Sequence, residues 1–216
     1  ADALGYAWSK AGIIHCDIKP ENVMIDADGT VKVADLGLAR TIRTMGAQAE
    51  IADIMGTPAF ISPEQAEGRQ DLDCRTDIYS LGAMLYTMVT GRLLFQGHSD
   101  EEIMAMQGAA SVPDPMDLNP DLPSGVCGMI EAMLAKERDA RPPDWNAVRR
   151  DLELVRNGRM PAARLPEGAR STVERRVRRG EAVSPTESGR PGHLRVRRSQ
   201  LGTLSASTSP GRRRRH

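Results

Sequence analysis

Four polar side chains near the start of the chain are spaced so that they could do chemistry together. Asp17, Lys19 and Asn22 share the octet His15-Cys16-Asp17-Ile18-Lys19-Pro20-Glu21-Asn22, and Asp35 opens Asp35-Leu36-Gly37. A third short segment, Ser62-Pro63-Glu64, closes an irregular stretch. Carboxylate and amide oxygens are the donors a hard divalent cation takes. A lysine ammonium is a compact point charge suited to an anionic group. Each residue also has a plain structural reading: Asp17 as a turn residue capping a hairpin, Asn22 as a turn asparagine, Asp35 as a strand-end aspartate, Lys19 as a solvated lysine.

The surrounding pattern says what must position them. Residues 4–14 are apolar at mixed spacing and read as the end of a helix. Val23-Met24-Ile25 and Val31-Lys32-Val33 flank Asp26-Ala27-Asp28-Gly29, a β-hairpin with a glycine-containing turn. Residues 35–64 have no sustained periodicity, and segments of that kind are functional or disordered. The nearly unbroken apolar run 78–89 fits a buried core helix, being too short for a membrane span. Ser99-Asp100-Glu101-Glu102 reads as a capping box opening another helix. Met129, Ile130, Met133 and Leu134 share one helical face, as do Trp145, Val148, Leu152 and Val155 behind Pro142-Pro143. The expected fold is mainly α: about five helices plus a small β-hairpin.

Taken in order, the octet, Asp35-Leu36-Gly37 and Ser62-Pro63-Glu64 resemble the catalytic loop, the DFG element and the APE element of protein kinases. Lys19, two residues after Asp17, and Gly56-Thr57-Pro58 resemble the serine/threonine kinases. Ser62-Pro63-Glu64-Gln65 is similar to their bacterial, eukaryotic-like branch. The resemblance covers about residues 1–156 and implies the C-terminal lobe of the kinase catalytic domain. It implies ATP- and Mg²⁺-dependent phosphoryl transfer to Ser/Thr hydroxyls of a protein substrate. In that scheme Asp17 accepts or orients the hydroxyl proton, and Lys19 approaches the transferred phosphate. Asn22 and Asp35 are the Mg²⁺ ligands. Met24 and Ala34 match the floor of the adenine pocket, with plain core packing equally open. Asp77 would hold the backbone of the catalytic loop, or face a helix dipole as a first-turn acid. Glu64 and Arg141 match an anchoring ion pair, and Thr57 the threonine that bonds Asp17 and Lys19. His15 packs beneath the loop without a catalytic role. Thr41 and Thr44 are candidate activation-loop phosphosites, or solvated loop threonines.

The chain also departs from the family pattern. It contains no Gly-x-Gly-x-x-Gly loop, no matching strand lysine and no helix-borne glutamate to pair with it, all parts that kinases need. The N-terminal lobe is therefore expected to be missing, the chain to be a fragment of a longer kinase or a truncated gene product, and to be inactive alone. Losing one preorganised charged donor removes about 2.7–4 kcal/mol of transition-state stabilisation. Cys16 stands where most such kinases have an arginine that pairs with a loop phosphate, so activation is expected to need no such phosphate. Leu36 replaces the aromatic residue of the DFG element.

The 216 residues carry 29 Lys+Arg against 29 Asp+Glu, and only 3% are aromatic, so the core must be aliphatic and Met-rich. The zero net charge conceals a split. Residues 1–157 hold 14 basic and 25 acidic side chains, whereas 158–216 hold 15 Arg, no Lys and 4 acids. Only 8 of those last 59 residues are Leu, Ile or Val, too few to offset ordering entropy. The expected division is a folded part at 1–157 and a disordered Arg-rich tail at 158–216. Such a tail suits an anionic partner, whether nucleic acid, anionic membrane or the acidic lobe itself. It has no interleaved aromatics for base stacking. Arg197-Arg198-Ser199 offers a basic-directed phosphosite. No apolar run reaches membrane length. Three dispersed cysteines lack metal-ligand spacing and suit reduced thiols, hence a cytoplasmic location. Two other readings stay open: a non-catalytic, pseudokinase-like binding module, and an anion binder acting through the tail.

Overall fold

The computed structural model describes residues 1–41, 56–163 and 173–174. The chain divides into two units, 1–177 and 178–216, and the second lies outside the described residues. The first unit is built around helix α3, Cys74–Thr90, with Asp73 capping its start and Gly91 in the left-handed region (φ 69°) ending it. It is buried on most sides, which is why its sequence is apolar almost without a break. Ile78, Tyr79, Ala83, Met84 and Tyr86 form its share of the core.

Three helices share the main core with α3. Helix α1, Asp2–Ala11, contributes Leu4. Helices α6, Ser124–Met133, and α7, Trp145–Arg156, contribute Met129, Ile130, Met133, Trp145 and Val148. Gly82 lets α3 approach α6 closely, since a Cβ there would lie 2.9 Å from that of Met133. Helix α7 begins at Asp144, whose carboxylate accepts from the Ala147 N–H at 2.7 Å, a cap worth about 1 kcal/mol. Helix α4, Asp100–Ala109, and the four-residue helices α2, Pro63–Ala66, and α5, Pro115–Leu118, complete the set.

The strands are short. β1, Ile13–Ile14, pairs antiparallel with β4, Arg40–Thr41. β2, Val23–Ile25, and β3, Val31–Val33, form the expected hairpin, with Val23 opposite Val33. β5, Val112–Pro113, pairs in parallel with β6, Val173–Glu174.

That last pair lies beyond residue 157, where the composition changes. Ala162 and Ala163 donate backbone N–H groups to Asp151, which is 2% exposed, at 2.6 and 3.1 Å. Val173 is buried in the main core. An average over 59 residues hides a single valine and one buried carboxylate, and these are enough to tie a segment down. Leu152, expected on the buried face of α7, is 37% exposed. No described helix is long and apolar enough to cross a membrane.

Candidate active site

The octet of the first motif crosses from β1 to β2 and is held from below by α3. Asp77, in the first turn of α3, accepts from the His15 N–H at 2.7 Å and from the Cys16 N–H at 2.9 Å. Burial pushes the Asp77 carboxyl up to about 6, against the downward pull of those two donors. Cys16 adopts a left-handed backbone, φ 66°, which costs a non-glycine residue about 1–3 kcal/mol. Its peptide groups are tied on both sides, because its carbonyl also accepts from Gln65 Nε2 at 2.9 Å. Burial raises the Cys16 thiol to about 12, so the position carries a neutral sulfur.

With its neighbours pinned, Asp17 presents both oxygens to the same cluster. Oδ1 accepts from the Thr57 N–H at 3.1 Å and its hydroxyl at 3.0 Å. Oδ2 meets Lys19 Nζ at 2.8 Å and Asn22 Nδ2 at 3.1 Å. Lys19 Nζ donates in turn to Thr57 Oγ1 at 2.8 Å, closing a ring of three side chains. Burial raises the Asp17 carboxyl, but Lys19 and Thr57 together hold it below the usual carboxylate range. Gly56, at φ 120°, makes the docking of Thr57 feasible. A Cβ there would lie 2.7 Å from Ile61 Cγ2 and 3.0 Å from the Cys16 carbonyl.

Asn22 Nδ2 also donates to the Asp17 carbonyl at 2.8 Å. Two acceptors facing the same nitrogen orient the amide and leave Oδ1 for a ligand. The Asn22 carbonyl accepts from the Ala34 N–H at 2.9 Å, and the Ala34 carbonyl is bonded to His15 Nε2 at 3.0 Å. His15 Nδ1 faces the Asp17 N–H at 3.4 Å, so Nε2 is assigned the proton. The buried histidine thus ties the octet to the strand end, and Asp35 follows directly. Asp35 is exposed, has φ 60°, and uses Oδ1 to accept from the Gly37 N–H at 3.0 Å.

Lys19 and Asn22 therefore both touch Asp17, and Ala34 and Asp35 join them through the backbone. Met24, on β2, is 51% exposed and stands apart from these contacts. The donors of Asn22 and Asp35 are oxygens, which fits a hard cation. No cluster of three or more His, Cys, Asp or Glu suited to a metal occurs among the described residues. Thr44 lies outside the described residues, and so does the side chain of Thr41.

Below the cluster, Glu64 and Arg141 form a two-point ion pair at 2.7 and 2.8 Å, with both side chains nearly inaccessible. Burial raises Glu64, and Arg141 reverses this, holding it below its ordinary range with help from Thr76. Reading the sequence missed a reciprocal capping box. Ser62 Oγ accepts from the Gln65 N–H, and Gln65 Oε1 accepts from the Ser62 N–H. The S-x-x-Q spacing was the available signal.

The chain matches the protein kinase domain family over residues 1–151. It is 36% identical over 170 residues to the DNA damage-responsive serine/threonine-protein kinase RqkA of Deinococcus radiodurans, covering 73% of this chain and 25% of that protein. It is 37% identical over 153 residues to the serine/threonine-protein kinase PknB of Mycobacterium tuberculosis, covering 70% of this chain and 24% of that protein. A probable serine/threonine-protein kinase PknB of Bifidobacterium longum is 37% identical over 163 residues, covering 75% and 23%. The chain thus spans about a quarter of the length of these relatives.

Proposed function

Given that this chain belongs to the protein kinase family, on its bacterial serine/threonine branch, we propose that it carries the substrate-orienting and metal-binding half of an ATP- and Mg²⁺-dependent protein phosphotransfer site. The observation that carries this reading is the closed ring of Asp17, Lys19 and Thr57, with Asn22 bonded to its edge. Lys19 and Thr57 hold Asp17 ionised. Its lowered basicity suits orienting an alcohol by a hydrogen bond more than removing its proton in the ground state. Lys19 brings a positive charge to the same point, ready for an incoming phosphoryl oxygen. Asn22 Oδ1 and the Asp35 carboxylate would hold Mg²⁺, which when bound neutralises charge on the triphosphate. Met24 and Ala34 would line the floor beneath the adenine.

The hairpin and the residue after Asp35 expose Met24, Ile25, Val31 and Leu36 by 51–71%. A patch of this kind marks a surface that binds something. It supports covering of this face by the lobe that would carry a glycine-rich loop and strand lysine, neither of which is in these 216 residues. Without them the chain alone would transfer no phosphate at a useful rate. The same patch favours a second reading, a non-catalytic module that binds a partner here. Cys16 and Cys74 are buried and in no disulfide, which suits a reducing cytoplasmic setting. The Arg-rich tail would meet a polyanion through charge alone, losing affinity steeply with added salt.

The test is phosphorylation of a protein substrate by the full-length protein. Asp17→Asn should lower kcat by about 10³-fold or more, on the scale of losing a central catalytic group. Transfer at the wild-type rate overturns the catalytic reading. A full-length protein that never transfers phosphate, yet binds a partner that Ile25→Asp abolishes, supports the module.

A further inference from the structure

Helix α4 packs on α2, and two fully buried side chains tie it and the residues after it to the core. Between Asp100 and Pro113 the only fully buried side chains are Gln107 and Val112. Gln107, in the last turn of α4, is 0% exposed and reaches the active site. Its Nε2 donates to the Pro58 carbonyl at 3.0 Å, and its Oε1 accepts from Tyr79 OH at 2.8 Å. Lys136 Nζ locks the same turn, donating to the Gln107 carbonyl at 2.8 Å and to Tyr79 OH at 3.2 Å. Pro58 follows Thr57, whose N–H and hydroxyl both bond Asp17. One peptide unit therefore separates the α4 contact from the residue that holds Asp17.

Val112, the second of these side chains, is 0% exposed and lies two residues beyond Ala110, the C-cap of α4. Its ladder partner is Val173, and Pro113 pairs with Glu174. Val173 is 7% exposed and belongs to the main core. The chain on its way there is already clamped, because Asp151 takes the N–H groups of Ala162 and Ala163. The Arg159 carbonyl would lie only 2.8 Å from a Cβ at Gly125. A two-residue parallel ladder is weak by itself. Such a contact can open without unfolding the helices, and its opening removes one of the ties on α4, leaving Gln107, Lys136 and the packing on α2.

We propose that the edge Val112–Pro113 is a docking site for the chain's own Val173–Glu174 segment, and that its occupancy seats α4 and, through Gln107 as a positioning residue, sets Thr57 against Asp17. The partner is an extended, valine-bearing strand running parallel to β5. The coupling is a matter of packing, so its readout requires no turnover.

The test is amide hydrogen exchange on the whole 216-residue chain. Val173→Asp places a carboxylate in the core position and should lower protection about tenfold or more at 110–114, along α4 and at 56–61, with α6 unchanged. Unchanged exchange at 110–114 overturns the docking. A loss confined to 110–114 overturns the coupling. Gln107→Leu should loosen 56–61 while leaving 110–114 protected, a split that a merely space-filling Gln107 would not produce; unchanged 56–61 overturns its role. If Val173→Asp unfolds the chain globally, Pro113→Cys with Glu174→Cys decides the matter, since neighbours across a ladder lie within disulfide reach. Cross-linking with raised protection at 56–61 is expected. Failure to cross-link under oxidation overturns the docking, and cross-linking without added protection at 56–61 overturns the coupling.

Discussion

Two ion pairs in this chain share one plan and differ in what surrounds it. Each joins a carboxylate, a cation and a threonine hydroxyl: Asp17 with Lys19 and Thr57, Glu64 with Arg141 and Thr76. Arg141 and Glu64 are 0% and 3% exposed, whereas Lys19 and Asp17 are 22% and 8% exposed. Arg141 spends its remaining donors on the carbonyls of Ala135, Arg75 and Lys136. A planar guanidinium with every N–H committed cannot turn to another partner, so it suits a permanent brace. Lys19 is a rotatable point charge at the rim, and it can shift toward an incoming anion while staying near Asp17. The choice of cation follows whether the geometry must stay or must yield.

Breaking each pair should separate them. Arg141→Met strands Glu64 as a buried, unpaired charge, a loss of about 3–5 kcal/mol in denaturant unfolding. Lys19→Met removes a partly wetted pair, with a loss of about 1 kcal/mol or less. Equal losses would erase the distinction. Catalysis should invert the order of cause: in the full-length protein Lys19→Met lowers kcat directly, whereas Arg141→Met acts by loss of folded protein.

The contrast has a pH signature. Glu64 titrates below its unfolded-state value, so its stabilisation is present above about pH 4.5 and is lost as pH falls through the folded-state value. Asp77 has the opposite sign. Its folded-state carboxyl sits at about 6, above the unfolded value, so its contribution declines as pH rises from about 4 to 6. The acid limb of the unfolding curve should therefore flatten in Glu64→Gln. An acid limb as steep as that of the wild type would mean that Glu64 is not what acid titrates.

Glycine provides a smaller and more local cut. Gly56→Ala forces a Cβ into Ile61 and the Cys16 carbonyl, costing about 1–3 kcal/mol and displacing Thr57 from Asp17. Gly68→Ala shares a positive φ, 68°, but meets nothing within 4 Å, so it should cost about 1 kcal/mol and leave kcat of the full-length protein unchanged. If both variants behave alike, the close approach at Gly56 is irrelevant to the site.

What could be read beforehand follows the same division between local and distant. The octet, the hairpin and the α3 core were legible because their partners lie within a few residues or repeat with a period. Glu64–Arg141 and Thr57–Asp17 were reached only through the family resemblance, since no spacing links residues 77 and 40 positions apart. The Ser99 box was half right: Ser99 caps Glu102, but the Glu102 carboxylate turns to the His98 N–H at 2.6 Å. Helices α2 and α5 are one turn each and too short to leave a period. Gln107 and Lys136 gave no sign at all, because a buried glutamine or half-buried lysine looks like a surface residue until its distant partners are known.

The weakest expected effect concerns Cys16. A neutral, buried thiol stands where the family's arginine would receive a loop phosphate, and Asp77 and Gln65 already hold the Cys16 backbone. The geometry of the octet is complete without a phosphate to draw it into place. Replacing both Thr41 and Thr44 by Ala in the full-length protein should therefore change kcat by less than about tenfold, whereas kinases ordered by a phosphorylated loop depend on that new Arg–phosphate pair. A loss of about 100-fold or more, a scale that separates switching from trimming, would mean that another cation has taken over the arginine's task. Arg40, which neighbours Cys16 and leads into that loop, would then be the first residue to replace.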